Sequence, residues 1–156
     1  MENKPTLICM VGLPRSGKST IVTKLMGRLG APVVRRDAIR LALHGQRYQA
    51  LSEPFVKAIS YTMIRSLFLA GHQWVICDET NFSQAARDSQ KSDLWSTSFY
   101  HVPTSMKVCQ ERAIETGQPD LLPIIEQMAK RWEPFGSSDY VWHTDDGTGT
   151  IPYVSL

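Results

Sequence analysis

The apolar run Leu7-Ile8-Cys9-Met10-Val11 passes directly into Gly12-Leu13-Pro14-Arg15-Ser16-Gly17-Lys18-Ser19, and that loop passes into a segment with helical apolar spacing. No other stretch constrains the fold as strongly, because strand, glycine-bounded loop and helix must meet at one edge of a sheet. The loop fits the pattern G-x-x-x-x-G-K-[ST]. Gly12 and Gly17 let the backbone wrap closely around a polyanion with its N–H groups inward, where side chains would crowd the ligand's oxygens. Lys18 supplies a mobile positive charge for β- and γ-phosphates, Ser19 offers a hydroxyl to Mg²⁺, and the helix that starts here turns its positive end toward the anion. Pro14, Arg15, Ser16 and Thr20 complete the expected cradle. The ligand implied by this chemistry is Mg·ATP or Mg·GTP.

A chain of 156 residues with 42% hydrophobic residues can bury one core, so a single domain over residues 1–156 is expected. Seventeen Lys and Arg against fifteen Asp and Glu leave a net charge of +2, which neither requires nor excludes a polyanionic partner. The three cysteines, Cys9, Cys77 and Cys109, are too scattered for a disulfide framework or a zinc site and read as small buried hydrophobes. The N-terminus lacks a signal-peptide pattern, and no apolar run approaches the roughly 20 residues of a membrane span. No membrane association and a reducing, cytoplasmic setting are expected.

Along the chain, strands are expected at 6–11, 31–34, 74–78, 97–102 and 140–143. They alternate with helices at 18–29, from about 35 to 44, and at 53–70, 81–95, 105–116 and 121–132. This alternation predicts a three-layer α/β/α fold around a mostly parallel sheet of about five strands. In the long helix Phe55, Val56, Ile59, Met63, Ile64, Leu67 and Phe68 are expected to face inward. Trp74-Val75-Ile76-Cys77-Asp78 has the form of a buried strand ending on a carboxylate. The breakable Gly117-Gln118-Pro119-Asp120 lies between two helices, with Arg112 before it and Lys130 and Arg131 after it. A hinged, cation-bearing pair of this kind suits a lid over transferring phosphates at about 112–131. The polar stretch 144–150 reads as a surface loop.

Together, Gly12 to Ser19, Arg36-Asp37 with Arg40, Asp78-Glu79-Thr80-Asn81 with Arg87, Val102-Pro103, Arg112, and Arg131-Trp132-Glu133-Pro134 resemble the P-loop kinases of the polynucleotide 5′-kinase group. A looser similarity extends to zeta-toxin and small-metabolite kinases. The resemblance covers nearly the whole chain and implies a P-loop kinase fold with ATP as donor and Mg²⁺ as cofactor. It also implies Asp37 as general base on the acceptor hydroxyl and Arg40 as holder of the acceptor's phosphate. For Asp37, capping of a helix N-terminus is an alternative role that can coexist with the first. Asp78 would hold Mg²⁺ through water or hydrogen-bond the phosphate loop. Thr80 and Asn81 would line the acceptor cleft, and Arg87 would either face the acceptor or lie solvated. The family usually carries two lid arginines four apart; here Arg112 is present and Thr116 stands in the second place, leaving Arg112 alone, or helped by Arg131, to neutralise developing charge.

Arg35, Arg36, Arg40 and Arg47 with Tyr48 add cations and an aromatic of the sort that suit single strands. The leading expectation is an ATP-dependent kinase acting on a nucleic-acid hydroxyl, either a 5′-OH end or a hydroxymethyl group on a base. A kinase of a small metabolite or nucleoside, and an ATP-binding regulatory module that transfers nothing, are the alternatives.

Overall fold

The computed structural model describes residues 3–46 and 48–143. Its elements run β1 (Thr6–Val11), α1 (Lys18–Leu29), β2 (Val33–Arg35), α2 (Arg36–His44), α3 (Glu53–Leu69), β3 (Trp74–Asp78), α4 (Gln84–Asp88), β4 (Ser96–His101), α5 (Met106–Glu115), α6 (Leu122–Lys130) and β5 (Val141–His143), with short 3₁₀ turns at Ala50–Ser52 and Pro119–Leu121. Among the described residues all four strand pairings are parallel and the order is β2-β3-β1-β4-β5, so the strand that leads into the phosphate loop lies in the middle of the sheet.

Because a strand's side chains alternate between faces, β1 has to supply two cores at once. Leu7, Cys9 and Val11 pack with Val34, Ile39, Val56, Ile64, Val75, Cys77 and Phe99, the layer covered by α2 and α3. Ile8 and Met10 pack on the opposite face with Ile21, Val22 and Leu25 of α1 and with Ile76 and Tyr100. Full burial of such a side chain stabilises the fold by about 1.5–3 kcal/mol, so a charge anywhere from Leu7 to Val11 would break the sheet at its centre. A third, smaller cluster joins Cys109 and Ala113 of α5 to Leu121 and to Ile125 of α6, with Leu13 of the phosphate loop packed against it. All three cysteines are free and buried.

Leaving β1 the chain crosses to one face as α1, and leaving β2 it crosses to the other as α2 and α3. The divergence opens a crevice beyond the C-terminal ends of β1 and β3, where ligands of open α/β sheets bind.

Two expectations differ from this architecture. The helix foreseen over 81–95 is only α4, five residues long, which begins where the Ser83 hydroxyl accepts the Ala86 N–H and ends as the chain turns through Ser89 and Gln90. In this region buried Arg87 and Gln90 seek partners outside the helix, and the Trp95 indole donates to the Gln90 carbonyl, holding 90–95 as a compact loop. On α3 the buried stripe is narrow, through Val56, Ser60 and Ile64, while Phe55 and Met63 are exposed at 66% and 41%. One small polar residue, Ser60, lies where an inward apolar face was foreseen, because Arg36 approaches its hydroxyl at 3.5 Å. Arg47 and the stretch 144–150 lie outside the described residues.

Candidate active site

The phosphate loop is fixed by its own covalent demands before any partner is considered. A Cβ on Gly12 would come within 2.8 Å of the Ser16 Oγ and 3.0 Å of the Val102 carbonyl, so only glycine fits there. Gly17 adopts φ 101° as it turns the chain into α1, and Arg15 adopts the left-handed φ of 64°, an uncommon conformation for a residue with a side chain. The segments that follow β3 and β4 then pin the loop. The Gly12 N–H donates to the Thr80 carbonyl at 3.1 Å, and Thr104 Oγ1 donates to the Ser16 carbonyl at 2.7 Å. Asn81, nearly fully buried with φ 47°, donates through Nδ2 to the Met10 carbonyl at 2.8 Å.

The crevice holds about 1600 Å³. Pro14, Arg15, Ser16, Gly17, Lys18, Ser19 and Thr20 line it together with Asp37, Arg40, Asp78, Thr80, Asn81, Arg112 and Arg131. Gly12 is not part of this lining; its backbone packs tightly behind it, against Ser16 and Val102. The sequence-derived site is therefore brought together in one place, with one exception.

That exception is Arg87. It is fully buried rather than facing an acceptor or the solvent, and it donates to the carbonyls of Asn81, Glu133 and Pro134 at 3.0, 2.7 and 2.8 Å. Its guanidinium lies 5.4 Å from the Trp132 ring centroid and 4.7 Å from that of Phe135, and 3.7 Å from Asp139. Burial pulls its pKa down, against Asp139 and Glu133. A cation so enclosed ties β3's exit to the 133–139 segment and has no line to the cleft.

Lys18 is partly buried, and its Nζ donates to the carbonyls of Gly12 at 2.9 Å and Leu13 at 2.7 Å. Burial lowers its pKa, while the charges of Asp78, Glu79 and Asp37 act the other way, so these four side chains share one electrostatic field. Burial likewise raises Asp78, opposed by Lys18 and by Arg35, whose Nε lies 3.4 Å away. Ser19 and Asp78 both open on the cleft, a hydroxyl and a carboxylate of the hard-oxygen type that Mg²⁺ takes. Among the described residues no group of three or more His, Cys, Asp or Glu could by itself cage a metal.

Asp37 lies in the first turn of α2 but does not cap it: the N-cap position is Arg35, with no side-chain cap. Its carboxylate is 72% exposed and accepts from Arg40 Nη1 at 2.8 Å. Arg40 is far more engaged than the sequence indicated. Its Nε and Nη2 donate to the two oxygens of Glu53 at 2.8 and 2.9 Å, a side-on bidentate pair, and Nη2 lies 3.6 Å from Glu79. Burial alone would lower the arginine's pKa, but the carboxylates of Glu53, Glu79 and Asp37 outweigh it and raise it. Arg40 in turn lowers the pKa of Glu53. Glu79 is also 3.5 Å from Arg36, yet burial holds its pKa high.

Glu53 was read only as the first residue of a helix, and Glu79 only as part of a turn motif. The available signal was indirect: three arginines within six residues, at the end of a strand and the start of a helix, require counter-charges if any of them is buried.

On α5, Arg112 Nη1 donates to the Arg15 carbonyl at 3.2 Å, which places its guanidinium over the phosphate loop. Thr116 Oγ1 donates back to the Arg112 carbonyl at 2.8 Å, so the residue in the place of a second lid arginine serves its own helix end. Arg131 follows α6 and reaches the cleft from the far side.

The family model AAA_33, an AAA domain, matches residues 7–118. Among solved structures, a gluconokinase from Sinorhizobium meliloti 1021 superposes with a TM-score of 0.64 at 19% identity, covering 91% of this chain and 83% of that one. A chain of the Pnkp1/Rnl/Hen1 complex gives 0.64 at 24% identity over 72% of this chain, which spans only 40% of that one. The Mycobacterium tuberculosis APS kinase CysC, in complex with AMPPNP and APS, gives 0.62 at 14% identity over 92% and 91% of the two chains. At these identities the likeness is one of fold. No curated protein matches the sequence.

Proposed function

The chain belongs to the AAA_33 family of AAA domains, and from that premise we propose that it is an ATP-dependent phosphotransferase that moves the γ-phosphate to a hydroxyl of a nucleic acid. The observation that carries the reading is the meeting of Lys18 and Asp37, a phosphate-loop lysine and an exposed carboxylate, in one crevice. A module that only holds nucleotide has no task for Asp37.

In the proposed reaction the acceptor hydroxyl gives its proton to the Asp37 carboxylate as its oxygen bonds to the γ-phosphorus. The bond from the γ-phosphorus to the bridging oxygen breaks, and its electron pair leaves with ADP. Lys18 and the Arg112 guanidinium stabilise the charge spread over the phosphoryl oxygens. Ser19 and Asp78 would hold Mg²⁺, which when bound neutralises phosphate charge. Asp37, mostly exposed, passes its proton to solvent.

A second reading, a kinase of a nucleoside or other small metabolite, is favoured by one observation: the edge of Arg40 that would hold an acceptor phosphate is covered by Glu53. Labelled ATP offered in parallel with DNA, RNA, DNA bearing hydroxymethylated bases, and free nucleosides separates the two. Lys18→Ala is expected to abolish transfer to every acceptor. Transfer at the wild-type rate by that variant would remove the loop from the reaction and the proposal with it.

A further inference from the structure

We infer that Glu53 is a specificity-determining residue that occupies the anion-binding edge of Arg40, so that the hydroxyl presented to Asp37 belongs to a group without a neighbouring phosphate. Within nucleic acid this is a hydroxymethyl group on a base rather than a 5′-OH end. The inference rests on the phosphotransfer reading above.

A guanidinium offers a carboxylate or a phosphate two parallel N–H bonds along one edge. In Arg40 that edge, Nε with Nη2, is closed by both oxygens of Glu53 at 2.8 and 2.9 Å. Nη1 is directed at Asp37 at 2.8 Å, and Nη2 also faces Glu79 at 3.6 Å. The arginine side chain is 9% exposed and Glu53 23%, so the pair is held among packed neighbours rather than drifting at the surface. Glu53 stands in the first turn of α3, followed by Pro54, where the positive end of the helix favours a carboxylate and the backbone is fixed.

A phosphate arriving at Arg40 would have to expel Glu53 and stand among the carboxylates of Asp37 and Glu79. At Arg40 it would meet three carboxylates, Asp37, Glu53 and Glu79, each already paired with an arginine. Such an arrangement rejects a charged acceptor by occupancy. The same pair has a positive task, because an arginine locked by Glu53 holds the Asp37 carboxylate at a fixed place beside the acceptor. A neutral hydroxyl needs only that.

The test uses two DNA strands and labelled ATP. One strand carries a 5′-OH and ordinary bases; the other has its 5′ end phosphorylated and carries one 5-hydroxymethylpyrimidine. The wild-type protein is expected to label the second and not the first. Glu53→Gln, nearly isosteric, and Glu53→Ala should free the Arg40 edge and raise kcat/KM for the 5′-OH strand by about 10- to 100-fold, the worth of a charge-assisted phosphate contact. A binding titration with a nucleoside and its 3′-monophosphate runs beside it. The wild-type protein should bind the two within about threefold, and Glu53→Gln should prefer the monophosphate by about tenfold or more. Wild-type labelling of the 5′-OH strand, with no change in preference on substituting Glu53, would overturn the inference. If no acceptor is labelled at all, the phosphotransfer reading fails, and the titration still decides what Glu53 excludes. Should Glu53→Ala not fold, Glu53→Gln carries both measurements.

Discussion

Asp37 combines two properties that seldom coincide: a carboxylate open to solvent and a short charge-assisted hydrogen bond that fixes its direction. A base that must reach an incoming hydroxyl and then release its proton benefits from both. Asp37→Asn keeps the size and the acceptor oxygen for Arg40 but cannot take a proton, so kcat is expected to fall by about 10²–10⁴-fold while ATP affinity changes little. Measuring the two together decides the matter, since unchanged turnover would leave Asp37 without a chemical role. At this scale the meeting of Lys18, Ser19 and Asp78 on one crevice was legible because they follow a fixed local pattern. Glu53 was not: its partner is 13 positions away, and only the packing of α2 beside α3 brings them together. Nor was the burial of Arg87, because an arginine in a polar stretch reads as solvated until aromatic rings are found around it.

Among the elements, the strands and the long helices followed from apolar spacing to within a residue or two, as buried parallel strands should. The segment after β3 did not, because α4 is a single turn held by side chains from elsewhere. Arg87 is its fastener: three backbone carbonyls from two distant segments converge on one guanidinium. Arg87→Ala would leave those carbonyls unpaired and the buried Asp139 with Lys91 at 2.6 Å as its remaining cation. The expected loss is about 3–5 kcal/mol of folding stability, read from a chemical denaturation curve. A loss under about 1 kcal/mol would mean that the 133–139 segment holds itself in place.

For the molecule as a whole, acid should act in two stages. Burial raises the pKa of Asp78 and Glu79, so the folded chain takes up protons there before the unfolded chain does, and stability rises as pH falls through their raised values. Glu53 behaves oppositely. Its pKa is lowered by Arg40, so its contribution is complete above the ordinary 4.5 of a glutamate and is lost as pH falls through the depressed value. Asp139, where burial is overcome by Lys91 and the Gly136 N–H, ends low and adds to that loss. Denaturation midpoints measured from pH 7 to pH 3 should therefore pass through a maximum on the acid side of neutrality; a steady decline from pH 7 would contradict the assignment. The order of the strands could not be read in advance, because parallel pairing is non-local and leaves no short-range mark on the chain.

Leu13 belongs at once to the phosphate loop and to the apolar cluster of the helix pair proposed as a lid, beside Gly12 and against the packed faces of α5 and α6. A lid that swung clear would draw that leucine out of its seat or carry the first turn of the loop along with it. On the proposed kinase reading, uncovering the nucleotide and loosening the grip on its phosphates would be a single motion, and the time an ADP spends on the protein would follow how fast two helices part from one leucine.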